Sequence, residues 1–173
     1  LPLSRGLGDV YKRQVFNALV HQYLIPGIQV GAKVSVKKET GDISDIFTAS
    51  RPVLPYSGGG CLWCNQLIPA ARLQEEALSE DERLHYAYLD DPEVTAPSVI
   101  TLNAAAAAQA ANDFLFSYLG LYENLAALPY SMQLCRERRW ATVGTSTEES
   151  CFHCRQLKDS QLARGDRGSL PCR

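Results

Sequence analysis

Two short cysteine repeats, Cys61-Leu62-Trp63-Cys64 and Cys151-Phe152-His153-Cys154, constrain this chain more than any other feature. A pair of Cys-x-x-Cys knuckles supplies the four thiolates of a tetrahedral metal site, and four protein ligands leave no open position for a substrate or a water. Residues 65–150 lie between the pairs, too long a stretch for an isolated zinc ribbon. The expected role is therefore a staple: Cys61, Cys64, Cys151 and Cys154 hold a structural zinc that joins the edges of a larger domain.

Composition narrows the setting. A chain of 173 residues accommodates one domain with a sizeable core. With 17 basic against 19 acidic residues, there is no overall electrostatic case for nucleic acid or an anionic membrane surface. The basic run Arg136 to Arg139 has no accompanying series of aromatics for base stacking and reads as a solvated face. The longest apolar stretch, Ile100 to Leu121, is interrupted by Asn103, Gln109, Asn112 and Asp113, each costly in hydrocarbon, so it reads as a core helix and not a membrane span. No secretory leader pattern is visible, which points to the cytoplasm. In that compartment six cysteines favour metal over disulfides, with Cys135 and Cys172 left over. Redox pairs and unligated thiols are the competing readings; a thioredoxin-like pair opens a helix after a strand, and neither pair has that setting.

Along the chain, Leu1 to Gln14 lacks a starting Met and apolar periodicity and resembles translated adapter read-through, so residues 1–14 are set aside and residues 15–173 taken as the natural domain. Gly6-x-Gly8 has neither a preceding strand nor a third glycine, and is not a nucleotide loop. Val15, Phe16, Leu19, Val20, Tyr23 and Leu24 recur at helical spacing and stop at Pro26. Alternation over Ile28, Val30, Ala32, Val34 and Val36, the turn Glu39-Thr40-Gly41-Asp42, and a second run from Ile43 to Ala49 predict a β-hairpin with Lys33, Lys37 and Lys38 in solvent. Pro52, Pro55 and Ser57-Gly58-Gly59-Gly60 break the pattern before the first knuckle. Ala70 to Ala77 is helix-forming, Ser79 and Glu82 have capping-box spacing, and Tyr86 to Pro97 reads as an exposed loop. Asn103 to Leu119 is predicted as a long alanine-rich helix capped by Asn103, closed by Gly120, and packed on a sheet through Phe114, Leu115, Tyr118 and Leu119. Tyr130 to Val143 fits one or two strands.

Four pieces in this order resemble the carboxyl-terminal half of the ThiF, MoeB and HesA group, the adenylyltransferases that activate ubiquitin-like and sulfur-carrier proteins. They are Asn17 with Tyr23-Leu24-Ile25-Pro26-Gly27-Ile28; Gly60-Cys61-Leu62-Trp63-Cys64; Pro97-Ser98-Val99-Ile100-Thr101-Leu102-Asn103 before the alanine helix; and Cys151 to Cys154 followed by Ala163-Arg164-Gly165-Asp166 and Leu170-Pro171. The resemblance implies an α/β fold, part of a Rossmann-like sheet extended by antiparallel strands, with a four-cysteine structural zinc. It also implies a parent enzyme that uses ATP and magnesium to adenylate a β-grasp carrier protein ending in Gly-Gly, commonly as a homodimer. Adenylation needs phosphate-cradling amides, cationic side chains and a metal-holding carboxylate. In the family these precede the position of Val15, so this stretch alone is expected to be inactive. Some members pass the activated tail to a cysteine between the first knuckle and the long helix, but no cysteine occurs from Asn65 to Leu134. That leans toward simple adenylation, or transfer to a thiol elsewhere.

The other candidates have plainer readings. Cys135 is expected as a buried strand thiol, His21 as a satisfied helix histidine, and His153 as a spare beside a completed shell. Glu75, Glu76, Glu80, Asp81 and Glu82 form a solvated acidic face, and Arg164-Gly165-Asp166 is in the wrong compartment for integrin binding. The alternative to an enzyme part is a noncatalytic zinc-dependent protein-interaction module.

Overall fold

The computed structural model describes residues 9–37, 40–56, 58–77, 99–123 and 128–171. The Ser79/Glu82 cap, the Tyr86 to Pro97 loop, Lys38 and Cys172 lie outside them. The chain divides into two compact units: one comprises Leu1–Ile25, Gly60–Val94 and Thr147–Arg173, the other Pro26–Gly59 and Thr95–Ser146.

The second unit is α/β. Strands β1 (Gly27–Val36), β2 (Ile43–Val53), β3 (Tyr130–Leu134) and β4 (Arg139–Val143) form a four-stranded sheet in the order β1-β2-β3-β4. Every pairing among them is antiparallel. The predicted hairpin is present: Gly41, at φ 74°, reverses the chain between strands, and the Lys37 amide closes the turn on the Asp42 carbonyl at 2.8 Å. β2 runs on through Pro52, where a break was expected. The β3 pairing ends at Ser50, so beyond that point no neighbour on that side of β2 needs a proline N–H. β1 is an edge strand, and Val34 is its one buried residue; Val30 lies exposed despite the alternation.

The long helix, α3 (Ile100–Tyr118), packs on β1 and β2. It begins one turn before Asn103, with Val99 at the cap position and no side-chain cap. Its end matches expectation. Gly120 takes φ 66° and donates to the Ser117 carbonyl, while the Leu121 amide reaches Phe116 at 2.8 Å, a Schellman closure. Its buried face differs from the prediction. Ala106 and Asp113 are buried, whereas Phe114 is 56% and Tyr118 79% exposed. Small residues let the helix approach the sheet, and Asp113 fixes its rotation: the buried carboxylate accepts from the Ser50 hydroxyl, from Gln109 Nε2 at 2.9 Å and from Tyr122 Oη at 2.5 Å. Burial, then the bond to Asp113, pushes the Tyr122 phenol up to about 12.

Among its described residues the first unit contains α1 (Asp9–Tyr23), α2 (Ala70–Ala77) and a tail whose one regular element is a 3-10 turn at Gly165–Arg167. α1 starts at Asp9, six residues before the periodicity did, because its amino end is capped from afar. The Glu76 carboxylate accepts from the Val10 and Tyr11 amides at 3.0 and 2.9 Å, meeting the helix dipole with a negative charge. Glu76 therefore leaves the solvated acidic face assigned to it. The tail returns across α1: Ala163 N–H donates to the His21 carbonyl at 2.9 Å and Tyr23 Oη to Asp166 at 2.9 Å. Among the described residues no helix is long and apolar enough to cross a membrane.

Candidate metal centre

The first knuckle is a tight turn that follows Gly60, whose φ of 71° turns the chain inward. Asn65 N–H returns to the Cys61 carbonyl at 3.1 Å, Leu67 N–H to Leu62 at 2.9 Å, and Gln66 takes φ 57° to close the turn. The second knuckle starts from Glu148, whose carbonyl accepts from the Cys151 amide at 3.2 Å, and closes with Arg155 N–H on the Cys151 carbonyl at 3.1 Å. Both knuckles are anchored. Asn17, fully buried on α1, accepts the Leu62 amide on its side-chain oxygen at 2.9 Å, and Gln161 N–H holds the Phe152 carbonyl at 2.9 Å.

These turns bring together the sulfurs of Cys61, Cys64, Cys151 and Cys154, all within 4.8 Å of one another. Cys61 lies 3.7 Å from Cys64 and 3.7 Å from Cys151, and Cys64 lies 3.6 Å from Cys154. A tetrahedron with metal–sulfur bonds of about 2.3 Å has edges of about 3.8 Å. The three separations match the edges of such a tetrahedron, so the cluster could hold a metal ion. A disulfide needs about 2.05 Å, and none of these four cysteines is in one.

The electrostatics agree with a cation site. Cys61 is fully buried, yet its thiol is lowered to about 5, first by the S–H it accepts from Cys154, against an opposing push from burial. Cys154 is driven up as the donor in that bond and by its burial, and Cys151 is raised chiefly by burial. Thiolates, not thiols, are metal ligands, so a cation at this cluster would displace thiol protons.

The four sequence-predicted ligands converge, and His153 does not join them. Its ring stacks on Trp63, 5.1 Å between centroids and 3° between planes, so equivalent positions of the two knuckles meet face to face. His21 is satisfied as expected: Nδ1 lies 2.8 Å from the Asn17 carbonyl, and burial lowers its pKa. Cys135 sits just past β3 in the β3–β4 turn, half-buried, and not in a strand core. The basic run is solvated: Arg139 pairs with Glu137 at 3.0 Å on the surface, and Arg136 donates to the Ile43 and Ser44 carbonyls. Asn17 was the functional residue the cysteine pattern alone could not assign. Its signal is a polar residue among Phe16, Ala18 and Val20 on a helix. No protein-family profile, curated protein or solved structure matches the chain.

Proposed function

We propose that the four thiolates hold one structural zinc ion, and that this chain is the zinc-stapled carboxyl-terminal part of an adenylyltransferase of the ThiF, MoeB and HesA type. The observation that carries the metal reading is the set of sulfur separations of 3.6 to 3.7 Å with all four sulfurs within 4.8 Å. Four soft thiolates at tetrahedral spacing suit zinc or a lone iron. A multi-iron cluster would insert its own sulfides and spread the cysteines apart. Zinc, with no redox chemistry and no geometric preference of its own, suits a site that only holds chain together.

Support for the enzyme reading comes from the order of elements: a helix carrying Asn17, a β-hairpin, a knuckle, an alanine-rich helix, a second hairpin and a second knuckle. In this proposal the Rossmann-like layer, ATP, magnesium and the adenylation chemistry belong to the parent enzyme, and the partner is a β-grasp carrier protein ending in Gly-Gly. The cysteines bind no substrate; their role is to fix the α1–tail unit. Metal analysis of the purified chain should give one zinc per chain and no visible thiolate-to-iron absorption. The intact parent should catalyse ATP–pyrophosphate exchange that depends on the carrier; exchange without it, or none with any carrier, defeats the enzymatic half.

One observation favours the noncatalytic alternative. An apolar cleft of about 430 Å³ runs along α3, walled by Ile28, Pro52, Leu54, Tyr56, Phe114 and Tyr118. An exposed aromatic cleft of this kind suits a protein-interaction module. That reading keeps the zinc and predicts no pyrophosphate exchange in the full-length protein.

A further inference from the structure

The four sulfurs are not equivalent. Cys61 is 0% and Cys151 8% exposed, and these two face each other across the buried edge at 3.7 Å. Cys64 and Cys154 are only partly buried, and they face each other at 3.6 Å. Each knuckle therefore contributes its first cysteine to a closed edge and its second to an open one.

We infer that the Cys64–Cys154 edge is a peroxide-sensitive modification site, at which hydrogen peroxide converts the zinc staple into a disulfide joining the two knuckles. This rests on the zinc reading above. The case is one of access and of movement. A peroxide of small size reaches first the residues open to solvent, and by residue exposure these are Cys64 and Cys154, partly buried where Cys61 and Cys151 are buried. Closing from 3.6 Å to about 2.05 Å then requires the second cysteine of each knuckle to shift. Pairing within the first knuckle would instead draw Cys61 from a fully buried seat, beside Leu62, whose amide is tied to Asn17.

The chemistry balances without any further reactant. The Cys64 thiolate attacks one peroxide oxygen; the O–O bond breaks, leaving a sulfenic acid on Cys64 and a hydroxide that takes a proton to become water. The Cys154 thiolate then attacks the Cys64 sulfur, the S–S bond forms, the S–O bond breaks, and the second hydroxide leaves as water. Two thiolates lose two electrons in total and the peroxide gains them. Cys61 and Cys151 alone do not retain the ion. The same connection between knuckles persists, now covalent, so the first unit is expected to stay folded after the metal has gone.

The test uses the full chain with Cys135→Ser and Cys172→Ser to remove competing thiols, its zinc content measured before any oxidant is added. Hydrogen peroxide is titrated in, zinc release is followed with a chromogenic chelator, and disulfides are mapped by peptide mass spectrometry. Expected is one zinc released per disulfide, with Cys64–Cys154 as the first linkage and far-ultraviolet circular dichroism unchanged. Brief iodoacetamide treatment of the zinc-loaded chain should label Cys64 and Cys154 before Cys61 and Cys151. A first linkage of Cys61–Cys64 or Cys151–Cys154, or sulfinic acid without a disulfide, overturns the inference while leaving the zinc site intact. A purified chain that carries no zinc and takes none up overturns both.

Discussion

Asn17→Ala should weaken zinc binding without touching a ligand. Asn17 and Leu62 are both fully buried, and the Leu62 amide sits between Cys61 and the Trp63 of the first knuckle, donating to Asn17 Oδ1 at 2.9 Å. Alanine leaves that amide buried with no acceptor, at about 1–3 kcal/mol. Part of the loss is offset, because Asn17 Nδ2 is itself buried without a partner and its removal relieves that cost. A net of about 1–2 kcal/mol follows, which at 1.4 kcal/mol per tenfold is about 5- to 30-fold in zinc affinity, overlapping the lower part of the range of about 10–100-fold typical of outer-shell losses at metal sites. Asn65→Ala makes a graded control. Its Nδ2 donates to the Cys61 carbonyl at 2.9 Å, but that carbonyl also receives the Asn65 amide at 3.1 Å and stays satisfied. Its effect should therefore be smaller. Competition against a chelator of known affinity, on the full chain, measures both. An Asn17→Ala affinity within twofold of the parent, or a larger loss for Asn65→Ala, would refute the claim that α1 preorganises the knuckle.

Three further outcomes are expected. Cys151→Ser removes a ligand and should cost zinc affinity beyond the roughly 100-fold ceiling of an outer-shell change, with faster hydrogen exchange in the segment around Ala163, read by mass spectrometry. Asp113→Ala strands the buried Ser50 hydroxyl and loosens Gln109 and Tyr122, which should lower unfolding free energy in urea by about 2–4 kcal/mol; Asp113→Asn, which keeps an acceptor, should cost less. Tyr122 gives a pH signature: its folded pKa is raised to about 12, above its ordinary value of 10.0, so the folded state keeps a proton the unfolded chain gives up. That contribution is complete below pH 10 and is lost as the pH climbs toward 12. Alkaline titration of unfolding stability should show the decline, and Tyr122→Phe should flatten it.

The local pieces were readable because each was written in one short stretch of chain. The hairpin, α2, the Gly120 closure and the four cysteines all follow from spacing and turn chemistry over a few residues. What escaped depends on partners distant in sequence. The start of α1 is set by Glu76, 66 residues away from Val10, and no pattern around Asp9 contains that information. The rotation of α3 is set by Ser50, 63 residues from Asp113. Periodicity ranked Phe114, Leu115 and Tyr118 above Asp113 for burial, since size and hydropathy usually decide. A helix rich in alanine can instead bury its smallest face, gaining close approach and a saturated carboxylate.

The same contrast bears on why the four-cysteine cluster lies in one unit and not in the other. The sheet unit buries Val34, Ala49, Val53, Leu54, Ala106 and Tyr130, and it closes a ladder of three antiparallel pairings. In the α1 unit the described buried apolar residues are Val10, Ala18, Val20, Leu62 and Ile68 beside Cys61 and Cys151, and among the described residues no strand ladder ties them together. Among the described residues of its tail the one regular element is a three-residue helical turn. Small cores of that kind usually need a disulfide or a metal to fold. Here the cross-link spans 90 residues of sequence between Cys61 and Cys151. Closing a loop of about 100 residues removes about 4.7 kcal/mol of chain entropy from the unfolded state on a disulfide-type model. A four-thiolate zinc adds its own binding energy, about 10–16 kcal/mol in small zinc peptides. The unit should accordingly melt on chelation while the sheet unit keeps its hydrogen-exchange protection. Simultaneous loss of protection in both would mean that the staple supports more of the fold than the α1 unit.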